Sequence, residues 1–119
     1  MGTAALTVIQ DEQGDEIAVL YRHYDGYEEG HGADLKECLT GVKSNGASCL
    51  AASIVSKFKT EWGNFYLYAA GTRNLGEEYI YTVSYGRPLQ LKVWAVRHNY
   101  PDGGTVLFDG DLADYNPPQ

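Results

Sequence analysis

One stretch constrains this chain more than any other: residues 20–32, LYRHYDGYEEGHG. A period-two alternation of Ile17, Val19, Tyr21 and His23 runs directly into an aromatic, an aspartate and a glycine. Alternation of that kind marks a half-buried strand. Three glycines, Gly26, Gly30 and Gly32, then lead into a segment with helical spacing. Glycine tolerates the tight backbone needed to leave a strand and enter a helix within a few residues. The passage therefore predicts a strand delivered onto a helix, with rings and carboxylates concentrated at the junction.

The flanking sequence extends this reading to a whole fold. Residues 4–10 and 16–24 alternate around the turn DEQGD, which predicts a β-hairpin. A short helix is expected over 32–40, with Leu35, Cys38 and Leu39 on one face and Gly41 as its stop. A longer one is expected over 47–61, where Leu50, Ala51, Ile54, Val55 and Phe58 form a single stripe. Strands follow at 65–70, 78–85, 89–97 and 105–109, separated by GTRNLGE, GRP and HNYPDGG. Leu89, Leu91, Val93 and Ala95 supply a clean apolar face opposite the helix stripe. The order β-β-α-α-β-β-β-β predicts one α+β domain: an antiparallel sheet of five or six strands with both helices on one face. The tail over 112–119, with two prolines, is expected to fray.

Composition narrows the function. A net charge of −7, from 16 acidic and 9 basic residues, argues against non-specific nucleic-acid binding, which needs cations to displace phosphate counterions. No apolar run reaches membrane-spanning length, and residues 1–10 pattern as a strand and not as a leader. An intracellular, cytoplasmic protein that does not bind membranes is expected. Cys38 and Cys49 fall on helical segments beside apolar residues, as two buried free thiols or as a disulfide between neighbouring helices.

Catalytic and cofactor readings find thin support. His23, Asp25 and His31 could form an acid–base or metal cluster, yet no remote ligand completes the set. The glycines match neither a dinucleotide fingerprint nor a Walker loop, and Glu28 and Glu29 would repel phosphate. No G-x-S-x-G elbow occurs, and neither cysteine has a histidine near it in sequence. No catalytic residue, metal or cofactor is assigned.

The tyrosines speak more clearly. There are ten, several on strands, and a sheet shielded by helices on one side leaves its other face to be explained. Tyrosine can half-bury its ring there while its hydroxyl stays wet, as at protein interfaces. Candidate partner contacts are Tyr21, Arg22, Asp25, Tyr27, Glu28 and Glu29. An alternative is a small-ligand, nucleotide-type pocket rimmed by Arg22, His23, Tyr27 and His31. A third is self-association into a symmetric homodimer through the tyrosine face.

The segments YRHYDGYEEGHG, CLAASIVSKFK, GNFYLYAAG and GEEYIYTV together resemble a family of small proteins common in phage and prophage genomes. The resemblance runs from about Leu6 to Val93 and rests on Tyr21, Arg22, Tyr24, Asp25, Gly26 and Tyr27, and on Cys49, Leu50, Ala51 and Ala52. Glu28 stands where the pattern would have proline. The family has no established activity, so the resemblance implies a setting and no catalytic residue. That setting is a phage accessory protein in the host cytoplasm. Such proteins often disable host defences, CRISPR effectors among them, by binding a host protein.

Overall fold

The computed structural model describes residues 3–61, 64–96 and 104–118. Six strands form one sheet: β1 (Ala5–Gln10), β2 (Glu16–Arg22), β3 (Phe65–Ala69), β4 (Tyr79–Ser84), β5 (Gln90–Val96) and β6 (Gly104–Asp111). Between β2 and β3 come one wide π-helical turn (Glu28–Gly32), α1 (Ala33–Leu39) and α2 (Ala47–Glu61). The expected α+β class, element order and two helices are all present. The strand order is β3-β2-β1-β4-β5-β6.

One pairing departs from an all-antiparallel sheet. β1 and β4 run parallel at the centre, while the other four pairs are antiparallel. Parallel neighbours require a crossover. Because β3 lies two strands from β1 on the far side, residues 70–78 must return across the sheet before β4 begins. Leu75 of that segment packs on Leu6, Val8, Val19 and Ile80, the side chains facing away from the helices. The crossing strap is pinned at both ends. Gly71 N–H and the Arg73 guanidinium donate to the Glu16 carboxylate, the latter at 2.6 Å, and Glu78 N–H donates to Ala4 O at 2.9 Å. The Arg73 bond holds the Glu16 carboxyl below its ordinary range.

β1 is buried on both faces as a result: Leu6, Val8 and Ile9 have no exposed surface. The main core lies on the other side, where α2 lays Leu50, Ile54 and Phe58 onto Ile9, Leu20, Tyr81, Val83, Leu91 and Val93. Fully burying a side chain of this size contributes about 1.5–3 kcal/mol. The stripe read from the sequence is the buried face, although Val55 is only half-buried and Ala47 joins it.

Several expectations are corrected. Tyr79, Tyr81 and Tyr85 share the helix-covered side with Val83, while Tyr21, Tyr66 and Tyr68 lie on the opposite one. Tyrosines therefore serve both layers. The tail does not fray over its first residues: Leu112 and Tyr115 are buried, and Lys36 Nζ donates to Leu112 O at 2.7 Å and Ala113 O at 3.0 Å. Both cysteines are free, but Cys38 is buried and Cys49 exposed, because Cys49 sits one position off the α2 stripe. The turn expected over HNYPDGG falls outside the described residues except for its final glycine, where β6 starts.

Candidate functional site

The 20–32 segment turns most of its chemistry inward. Arg22 ends β2 on the helix side with only 6 % exposure, and its Nη1 donates to Asp34 Oδ2 at 2.7 Å and to His31 Nδ1 at 3.2 Å. A guanidinium can only donate. His31 Nδ1 is therefore the acceptor, and Nε2–H donates to Thr7 Oγ1 at 2.5 Å. The ring is fully buried and packs edge-on to Phe58 and Tyr81. Burial and then the Arg22 charge push His31 well below the ordinary histidine range, which keeps it neutral. The Arg22 guanidinium also lies 5.2 Å from the Phe65 ring centroid, on β3. One cluster thus ties β1, β2, β3, α1 and α2 together.

The glycines serve the same purpose. A side chain at Gly26 would meet Ala5 Cβ and Thr3 O at 2.7 Å, and Gly26 O accepts the Tyr81 hydroxyl at 2.8 Å. A side chain at Gly32 would meet the Tyr115 hydroxyl at 2.5 Å; that hydroxyl instead donates to Glu28 Oε1 at 2.8 Å. Burial, followed by that bond, raises the Tyr115 phenol far above its usual range. Asp25 adopts φ of 62°, and its carbonyl accepts His31 N–H at 2.8 Å.

The sequence-derived candidates accordingly separate. Arg22 and His31 are interior, and Glu28 is held by Tyr115, so these three support the fold. The alternative pocket of Arg22, His23, Tyr27 and His31 is not formed: two members are inside and two outside. Tyr21 is half-buried on the open face, whereas His23, Tyr24, Asp25, Tyr27 and Glu29 are exposed. The Tyr27 hydroxyl donates to Asp25 Oδ1 at 3.2 Å, and that bond raises the Tyr27 phenol. Among the described residues, no group of three or more His, Cys, Asp or Glu side chains is placed to hold a metal.

On the outward surface Tyr21, His23 and Tyr27, named from the sequence, are joined by Tyr66, Leu67 and Tyr68 of β3, which the sequence did not single out. β3 is an edge strand, FYLYA, with only Phe65 buried. Of the seven exposed large apolar residues among those described, five are Tyr24, Tyr27, Tyr66, Leu67 and Tyr68, on β3 and the bend after β2. On the open face Tyr21 contacts Tyr66 and Tyr68, with ring centroids 6.2 and 6.3 Å apart, and His23, at 6.0 Å. The His23 ring meets Tyr24 in turn at 4.4 Å. Tyr21, His23, Tyr66, Tyr68 and the strap residue Leu75 line a cleft of about 360 Å³. Natural edge strands are usually blunted by charge or proline. β3 has neither, and that was the available signal, hidden because strand order cannot be read from one sequence.

Comparison with protein-family models, with characterised proteins and with solved structures gives no match to this chain.

Proposed function

We propose that this chain is a phage accessory protein that acts by binding a host protein, with the β3 edge and the aromatic surface beside it as its contact face. The observation that carries the reading is the concentration of exposed apolar side chains on β3 and the bend after β2, in a chain of net charge −7. Tyr66, Tyr68, Tyr21, His23 and Tyr24 touch ring to ring to make one exposed aromatic patch, and such a patch on a folded domain marks an interaction site. The phage setting, and with it a role against a host defence effector, rests on the YRHYDGY and CLAA segments alone.

The edge supplies backbone as well as side chains. His23 N–H donates to Asn64 O, and Tyr21 pairs with Tyr66 and Val19 with Tyr68. In that register residues 64, 66 and 68 turn their backbone groups to β2, so those of 65, 67 and 69 face outward. Phe65 O accepts Lys59 Nζ and Ala69 O accepts Thr72. The Leu67 N–H and C=O have no partner among the described residues, which suits addition of an extended strand from another molecule.

The test is affinity capture from host lysate with the folded chain and with its Tyr66→Ser/Tyr68→Ser variant. The reading expects a single stoichiometric protein on the wild type that is lost on the variant. Capture of no protein by the intact fold, or equal capture by both chains, would overturn it. The same Leu67 geometry favours a second reading, a two-fold dimer in which Leu67 pairs with its own copy. Light scattering at micromolar concentration decides that, with a monomer removing it.

A further inference from the structure

The cleft beside β3 has the composition of a cation cage. Tyr21 forms its back, Tyr66 and Tyr68 flank it at i and i+2 on one side of β3, His23 stands at one end, and Leu75 of the strap closes the other side. An aromatic ring presents a negative quadrupole from its face, and several rings around one space attract a cation. One ring of the cleft already attracts a cation of the chain itself: Lys59 Nζ lies 5.6 Å from the Tyr66 centroid. The surroundings are acidic. Glu77 acts electrostatically on Tyr21, and Asp25 is exposed just beyond His23 and Tyr24. A phosphate-bearing ligand would meet this field unfavourably, whereas a cation meets it favourably.

We infer that the Tyr21–Tyr66–Tyr68–His23 cleft receives an arginine side chain of the protein partner, carried on an extended segment that pairs with β3. The inference rests on the reading of β3 as a binding edge and specifies its partner. Arginine is chosen over lysine because its planar, weakly hydrated guanidinium stacks on rings and gives up less hydration on entry. Strand geometry sets its position. A partner residue paired with Leu67 points to the helix side, so each of its sequence neighbours, opposite Tyr66 or Tyr68, points to the open face. The arginine is therefore one residue away from the position paired with Leu67.

The experiment needs no host partner. The full chain, isotopically labelled, is titrated by NMR with an acetylated Val-Arg-Val amide and with the same peptide carrying citrulline, which keeps the shape and loses the charge. The cage predicts shifts centred on Tyr21, Tyr66 and Tyr68, and a Kd about 2- to 5-fold tighter for the arginine peptide, the ratio corresponding to an exposed cation–π contact. Tyr66→Leu/Tyr68→Leu, which keeps bulk and removes both β3 rings of the cage, should move that ratio towards one. Equal affinity for the two peptides on the wild type, shifts centred elsewhere, or stronger shifts of the same rings by a nucleoside monophosphate would overturn the inference. The outcomes separate cleanly from the lysate capture. A captured partner with no arginine preference removes the cage and leaves the binding edge; an arginine preference with no captured partner does the reverse.

Discussion

Buried and neutral, His31 makes the stability of this fold depend on pH in a window where few other groups titrate. In the unfolded chain its imidazole has an ordinary pKa near 6.5, whereas in the folded chain burial and Arg22 hold it well below that. The unfolded state therefore binds the extra proton first as pH falls. Stability rises with pH wherever the unfolded state binds more protons, so it is fully present above the unfolded value and is lost towards the depressed folded one. Integrated from pH 7.5 to 5 with the folded ring still neutral, the loss is about 2 kcal/mol. Glu16 is depressed too, but from an ordinary value of 4.5, and its contribution fades below this window. Urea denaturation at half-unit pH steps measures the slope, and His31→Leu supplies the control. That variant should be flat over the same range, and less stable throughout by about 1–3 kcal/mol, because Thr7 and one Arg22 N–H lose their buried partner. A wild type that loses less than about 0.5 kcal/mol over the window, or a variant that keeps the slope, would refute the assignment of a neutral, inward-bonded His31.

Two further outcomes test how the segment and the thiols are built. Gly32→Ala should cost about 1–3 kcal/mol by overpacking against the Tyr115 hydroxyl, and Tyr115→Phe in the same chain should recover part of that, as read by thermal or urea unfolding. Thiol labelling of the folded chain near pH 8 should modify Cys49 alone, with Cys38 following only in denaturant, because burial raises the Cys38 thiol to about 11 and encloses it; mass spectrometry of the labelled chain counts the sites.

Some of this was legible in the sequence because it depends on local period. The α2 helix, Ala47–Glu61, was visible from its stripe, and the β1–β2 hairpin from alternation around a glycine-containing turn. What the sequence hides is which strand lies beside which. The alternation of Tyr79, Tyr81 and Val83 defines one face of β4 but not which layer covers it, so tyrosines that pack under the helices could not be told from those left on the open side. The parallel β1–β4 pair follows from the 70–78 strap, whose one informative apolar residue, Leu75, sits among turn-forming neighbours. Arg22 and His31 misled for a related reason. Side chains with functional chemistry at a strand–helix junction also serve to satisfy one another in the interior, and only the Asp34, Thr7 and Tyr81 contacts distinguish the two uses. Phe65–Ala69 was read as a strand, and nothing local declared that it would be an edge.

The central claim is a division of labour: the inward side chains of the 22–32 segment, Arg22 and His31 above all, build the fold, and the β2–β3 aromatic edge with the exposed bend beside it meets the partner. Paired measurement of Tm and partner Kd on two variants tests it most directly, using whichever host protein the wild type captures. Tyr66→Ser/Tyr68→Ser should leave Tm within a few degrees of wild type and weaken binding at least about ten-fold, the loss of two aromatic contacts at roughly 0.5–1.5 kcal/mol each together with their buried area. Asp34→Ala, which strands the Arg22 charge, should lower Tm markedly while the fraction still folded binds with unchanged Kd. The reverse pattern, with binding carried by the Arg22 cluster and indifferent to Tyr66 and Tyr68, would contradict the account.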